Sequence, residues 1–370
     1  GSGTFDVSHY KPLKKYLVFL GQYPAQSDLN NKCITTALAC SSISLIIPTL
    51  LQFYVSICDK NLDAAIETLP HLVTTTTGLI KLLSLHFNRE NFRKVFLTVE
   101  SDWANPMFAR DMDILHEITE RGVTTCYFSG VLLSFLVSFV TLPLVNPLLD
   151  IIIPLNETRE REEIFSLYYF VNNDEHFYTI YMHSVWCSSI TILIIVTVDS
   201  LNMIITHHAS AIFAGNTEAV CSFEIQLIRS FPSVSRFFEF LDATYRMSFL
   251  LQVGFNMIGI SVTAFQTIMH LDDTKEAVRY ALFFGGQKFH LYFLSLPGQV
   301  LSDYSGGVLD HMYVFDYLTE ERAMMNIMQL RACKNCQLTA GGLYDMNIEN
   351  FGAAFKTCMS YFTMLLSTKE

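Results

Sequence analysis

Charge is what this sequence has least of: 16% of its residues are Asp, Glu, Lys or Arg, against about 25% in a soluble domain. A chain that is 51% hydrophobic over 370 residues and this poor in charge is suited to lipid rather than to water. Its formal net charge of −11 points away from nucleic acid and from anionic membrane surfaces, which select basic patches. Catalytic motifs are missing too. No P-loop, G-x-S-x-G elbow or H-E-x-x-H helix occurs, and His207-His208 and His116-Glu117 lack partners at ligand spacing. We therefore expect no enzyme and no cofactor. A secretory signal peptide is not expected either, because Lys11, Lys14, Lys15, Tyr23 and Pro24 make the segment after Gly1 to Gly3 too polar. No disulfide framework is implied by the 9 cysteines, an odd number, since Cys33, Cys40, Cys58, Cys126 and Cys187 lie in or beside apolar runs. Cys333 and Cys336 form a C-x-x-C pair, but no second pair or histidine completes a zinc site.

What the sequence does have is a series of long apolar runs. Cys33 to Cys58 and Gly122 to Leu149 contain no Asp, Glu, Lys or Arg, and each exceeds the roughly 20 residues that cross a bilayer. Leu62 to Phe87 is a further span, with Asp63, Glu67 and Lys81 near its ends and expected to snorkel to the interface. His176 to Val198, Met247 to Leu271 and Ala277 to Val300 follow, the last with Arg279 and Lys288 inside it. Phe351 to Ser367, with Lys356 as its only charge, completes an all-α membrane protein of seven transmembrane helices. Of the 24 Lys and Arg, Lys81, Arg279, Lys288 and Lys356 lie within spans; an inner N-terminus leaves Lys60, Arg159, Arg161, Lys275 and Lys369 outside and the other fifteen inside. This bias predicts a cytosolic N-terminus and an extracellular C-terminus. It also places the sequon Asn156-Glu157-Thr158 outside, so Asn156 is the expected glycosylation site.

That orientation is the reverse of a G-protein-coupled receptor. The motifs differ from that class as well: Glu120-Arg121 precedes the third span instead of ending it, Asn146-Pro147 sits at that span's end, and no N-P-x-x-Y occurs in the last one. No inverted repeat or pair of broken helices suggests a transporter. The C-terminal region reads Leu338-Thr339-Ala340-Gly341, then Phe351, then Lys356-Thr357-Cys358-Met359-Ser360-Tyr361-Phe362, with Gly298-Gln299, Ser302 and Ser305 upstream. This order and spacing resembles the terminal signature of insect odorant receptors. Tyr313, Asp316 and Tyr317 depart from the Tyr and Trp that many members carry after that serine. The ending of the related gustatory receptors is absent, which leaves a gustatory-type channel as the alternative, with a metabotropic seven-helix receptor behind it. The loop from about Asp199 to Arg246 lacks the long insertion of the shared co-receptor, so the resemblance is to an odour-tuned subunit.

The resemblance implies the insect odorant receptor channel fold: a cytosolic segment over 1–31, helices and ligand pocket over 32–300, a cytosolic anchor over 301–350 and a pore-lining helix over 351–370. It implies a tetramer with the shared co-receptor, opening a cation pore in the plasma membrane of olfactory sensory neurons when a small volatile odorant binds. Membrane lipid is the other expected partner, and nucleic acid is not. The family pocket lies in the outer halves of the second, third, fourth and sixth spans. In this sequence those halves carry His71, Thr74 and Thr75; Phe135, Ser138 and Phe139; Tyr178, Tyr181, Met182 and Trp186; and Tyr280, Phe283 and Phe284. Aromatic walls with a few hydroxyls suit a small, mostly apolar ligand. In the last helix Phe355, Cys358, Phe362 and Leu365 provide a packing face, while Ser360, Met364 and Thr368 populate a second stripe expected at the pore, Met364 as the gate. Lys356 is expected to snorkel to the cytosolic interface.

Overall fold

The computed structural model describes residues 10–104, 112–127, 130–153, 159, 163–173, 175–222, 231–314 and 336–367. Its helices are α1 (Lys11–Phe19), α2 (Asp28–Cys58), α3 (Leu62–Phe87), α4 (Arg89–Ala104), α5 (Met112–Tyr127), α6 (Gly130–Thr141), α7 (Val145–Ile152), α8 (Phe177–Ser222), α9 (Phe231–Met269), α10 (Thr274–Val314) and α11 (Ile348–Ser367). Every apolar run identified in the sequence falls in these helices. The third is interrupted at Leu142–Leu144 by a 3-10 turn carrying Pro143, whose missing N–H and fixed φ break the α-helical ladder. Helical stretches Asp28–Cys58, Asp113–Ile152, Phe177–Ala214 and Phe237–Met269 are long and apolar enough to cross a membrane. Helices α3, α10 and α11 carry the charges that lie within spans.

Local chemistry sets where the helices start. Ser27 accepts from the Asn30 N–H to cap α2, and Asn61 accepts from the Ala64 N–H at 3.1 Å to cap α3, each satisfying one of the donors that a helix start leaves unpaired. The centre of the bundle is α8. Every residue from Ile194 to Phe213 is buried, polar residues such as Asp199 and His208 included. Its neighbours α3, α5 and α10 wrap it, while α2 and α9 close the bundle against α3.

The ionisable groups Lys81, Asp199 and His290 are paired with one another in this core. Lys81 of α3 is fully buried and bonds Asp199 of α8, so it does not snorkel to the interface. Asp199 also holds His290 Nε2 of α10 at 3.1 Å, and His290 Nδ1 meets Asn256 Oδ1 of α9 at 3.0 Å. One connected network therefore ties four helices together, which answers the penalty on burying ionisable groups in hydrocarbon. His208, met in the sequence as half of a His-His pair, has its Nε2 at 3.2 Å from Asp102. Tyr10 is buried beside it, accepting from Trp103 Nε1 at 3.2 Å, and burial pushes its phenol up to about 12.

The C-terminal motifs form the joint that holds the last helix. Thr339–Ala340 and Tyr344–Asp345 pair antiparallel as β1 and β2. The Thr339 N–H and hydroxyl both donate to Asp242 of α9, at 2.6 and 2.8 Å, and the Gly341 N–H donates to the Arg246 carbonyl at 2.9 Å. Gly341 (φ +67°) and Gly342 (φ +72°) take the left-handed turn between the strands, which side chains resist. From α10, Gln299 Oε1 accepts the Ile348 N–H at 3.2 Å at the start of α11, and Ser305 accepts the Cys336 N–H at 3.2 Å.

Candidate functional site

A cavity of about 100 Å³ lies between α3, α6, α8 and α10, on the same side of the Lys81–Asp199–His290 network as the starts of α3 and α8. Helical periodicity decides which residues reach it. From α3 come His71, Thr74, Thr75 and Thr77; from α6 Leu132, Phe135, Leu136 and Phe139; from α8 Ser188, Thr191, Ile192 and Ile195; from α10 Leu282, Phe283, Gly286, Gln287 and His290. Phe165, from the segment 163–173 that precedes α8, closes the end nearer the helix starts. His71 meets three rings there: Phe165 at a centroid distance of 4.3 Å, Phe283 at 5.1 Å and Phe139 at 5.7 Å. These edge-on and tilted contacts match the quadrupole preference of aromatic groups. At the other end sit Thr191, Gln287 and His290, so one end of the cavity is aromatic and the other polar.

The segment bearing Phe165 is fastened from several directions. Arg279 of α10 donates to the Ile164 carbonyl, pairs with Glu276 at 3.0 Å and lies 5.4 Å from the Phe139 ring centroid. Tyr169 meets His183 Nδ1 at 2.7 Å, His183 Nε2 meets Ser44 of α2 at 3.0 Å, and the Tyr168 N–H donates to the Pro48 carbonyl at 3.3 Å. The aromatic end is thus covered by a strap held on α2, α8 and α10.

Among the residues expected at the site, His71, Thr75, Phe135 and Phe139 line the cavity, with Thr74 and Phe283. Tyr181 lines a smaller recess beside it with Phe177 and Ser184, and its hydroxyl donates to the Val140 carbonyl at 2.9 Å. Tyr178, Met182 and Trp186 stand four residues apart on the opposite face of α8 and are 59%, 63% and 64% exposed. Ser138 faces away from the cavity on α6, donating to the Ser134 carbonyl at 2.9 Å. Tyr280 and Phe284 share another face of α10: Tyr280 packs 5.2 Å from His270 and Phe284 6.3 Å from Phe355 of α11. These residues have the expected depth but lie on other helix faces. Thr77, Phe165, Ser188, Thr191, Gln287 and His290 were not anticipated. The spacing 283, 287, 290 on α10 is the signal that would have found two of them.

Helix α11 has two distinct faces. Ala354 and Cys358 are buried, and the Cys358 carbonyl accepts from Ser261 of α9 at 3.1 Å. Ser360 is exposed on the other face, as are Tyr361 at 52% and Met364 at 55%. Lys356 is exposed there as well. Asn156 and Thr368 lie outside the described residues. No cluster of His, Cys, Asp and Glu suited to a metal, and no disulfide, occurs among the described residues.

Residues 61–359 match the family described as 7tm odorant receptor. No curated protein matches. Among solved structures the chain is similar to the insect olfactory receptor OR5 from Machilis hrabei in complex with eugenol, with a TM-score of 0.80, 11% identity and 97% of each chain covered. It is also similar to a second structure of the same receptor, with a TM-score of 0.74, 11% identity, and 97% of this chain and 98% of the other covered. At that identity the likeness is one of fold. It extends over nearly the whole chain, beyond the C-terminal motifs.

Proposed function

The chain belongs to the 7tm odorant receptor family, and from that premise we propose that it is the odour-tuned subunit of a ligand-gated, non-selective cation channel. As an odorant receptor it is a multi-pass membrane protein and not an enzyme. In this reading it sits in the plasma membrane of olfactory sensory neurons with its N-terminus inside and its C-terminus outside. It assembles with the shared co-receptor into a tetramer.

 The observation that carries the proposal is the cavity walled by Phe135, Phe139, Phe165 and Phe283, in a chain of this family. Two further features support it. Only residues 223–230 stand between α8 and α9, which leaves no room for the co-receptor's insertion. The exposed face of α11, with Ser360, Tyr361 and Met364, suits a helix that meets its counterparts around a pore.

Current recording tests the proposal in cells expressing this chain with the co-receptor, without it, and the co-receptor alone. Volatile-evoked cation currents are expected only when both are present. Robust currents from this chain alone would refute the tuning-subunit assignment, and currents that require G proteins would refute the channel.

A further inference from the structure

We infer that the cavity takes a hydroxyl-bearing volatile, an alcohol or a phenol, and seats its oxygen at the polar end between Thr191 and Gln287. The inference rests on the receptor reading above and adds the chemical class of the ligand.

Most hydroxyls in the cavity wall satisfy themselves. Thr74 donates to the Pro70 carbonyl at 2.9 Å, Thr77 to Val73 at 2.8 Å and Ser188 to Ser184 at 2.6 Å. Thr75 and Thr191 make no such bond; Thr191 is the more deeply placed of the two, 2% exposed with its Oγ1 buried and without a hydrogen-bond partner among the described residues. Its methyl group packs on Gly78, where a Cβ would stand 2.8 Å from Thr191 Cγ2, and this fixes the side chain with its hydroxyl turned elsewhere.

Gln287 is half satisfied. Its Nε2 donates to Thr74 Oγ1 at 2.7 Å, and its amide lies against Gly259, where a Cβ would stand 3.2 Å from Cδ. Its Oε1 accepts no hydrogen bond among the described residues. Burying a hydroxyl without a partner is unfavourable, and the cavity that both residues border is the space from which a partner reaches them. A ligand hydroxyl donates to Gln287 Oε1 and accepts from Thr191, whereas a ketone or ether can only accept. His71 Nδ1 is also without a partner, but its ring is enclosed by Phe139, Phe165 and Phe283. Along α3, His71 stands roughly 10 Å from Gly78, on which Thr191 packs, and roughly 4.5 Å from Thr74, which Gln287 bonds, so the ring cluster around His71 is left for the ligand's apolar body.

The test uses three ligands of one shape: p-cresol, 4-methylanisole and p-xylene, which offer a hydroxyl, an acceptor alone and neither. Binding is read as the ligand-induced thermal shift of the full-length purified chain, which does not depend on channel opening. p-Cresol is expected to bind at least about tenfold more tightly than the other two, and Thr191→Val to bring it down to their level. Gln287→Met provides the same comparison should Thr191→Val fail to fold. Equal binding of the three ligands, 4-methylanisole matching p-cresol, or a preference that survives the substitution overturns the inference. Absence of p-cresol binding overturns it as well. Currents evoked by a wider volatile panel then decide separately whether the receptor reading stands.

Discussion

A Cβ added to Gly298 would collide with the carbonyl oxygen of Met346 and stand 2.8 Å from its carbonyl carbon. Helix α10 therefore meets the hairpin before α11 at a distance that only glycine permits. Gly298→Ala is expected to destabilise the protein by about 1 to 3 kcal/mol or more, as overpacking against backbone does. Gly254→Ala is the control, because a Cβ there meets nothing within 4 Å. Thermal unfolding of the two purified variants should separate them, and equal melting temperatures would remove the argument for this joint.

The buried pair Lys81–Asp199 gives a second prediction. Lys81→Met leaves Asp199 facing His290 without its lysine, and breaking a buried pair from one side costs about 3 to 5 kcal/mol. Replacing both charges, as Lys81→Met with Asp199→Leu, removes the uncompensated carboxylate and should recover much of the lost surface expression. A double variant no better than the single one would show that the network matters through more than its charge balance.

A third prediction concerns helix faces. Phe139→Ala removes ring area from the cavity and should weaken ligand potency by about 1 to 3 kcal/mol. Tyr178→Ala and Met182→Ala, on the exposed face of α8, should leave dose-response curves near wild type. The reverse pattern would place the ligand outside this cavity.

The strap over the aromatic end makes a kinetic prediction. Arg279→Gln removes the guanidinium that holds the Ile164 carbonyl and lies over Phe139, which loosens the segment carrying Phe165. Faster current decay on ligand washout is the expected outcome, since weakened closure acts mainly on the off-rate. Unchanged decay would mean that the ligand leaves by another route.

The positions of the long apolar spans were legible in the sequence because hydropathy over about 20 residues is a strong signal, whereas shorter helices such as α1 and α4 gave no such signal. Helix faces were not legible. Hydropathy averaged over a span does not orient a helix, so Tyr178 and Tyr181 of α8 looked alike although one is exposed and the other faces the core. Lys81 looked like a snorkelling charge because its partner Asp199 lies 118 residues away. The C-terminal signature was visible as a pattern, but its physical content, Thr339 bonded to Asp242 and Gly298 against Met346, needed the fold. Phe165 carried no signal at all, since nothing in its local sequence points to a cavity.

The last prediction separates ligand binding from gating, and it starts from the two faces of α11. Cys358 faces the subunit, with its carbonyl bonded to Ser261, while Met364 is 55% exposed on the opposite side. A ligand opens a channel only through its differential affinity for the open arrangement, so substitutions at the pocket and at the pore should leave different signatures. Met364→Ala thins the proposed apolar constriction and should raise basal current or change permeation while the order of ligand potencies stays the same. Phe139→Ala should shift potencies and leave basal current unaltered. In the proposed assembly, co-receptor helices around the same pore would dilute the effect of a Met364→Ala helix, so both variants must be compared in one co-receptor background with surface expression matched. If Met364→Ala reorders the ligands, or Phe139→Ala leaves every potency unchanged, pocket and gate are not divided as the two faces of α11 suggest.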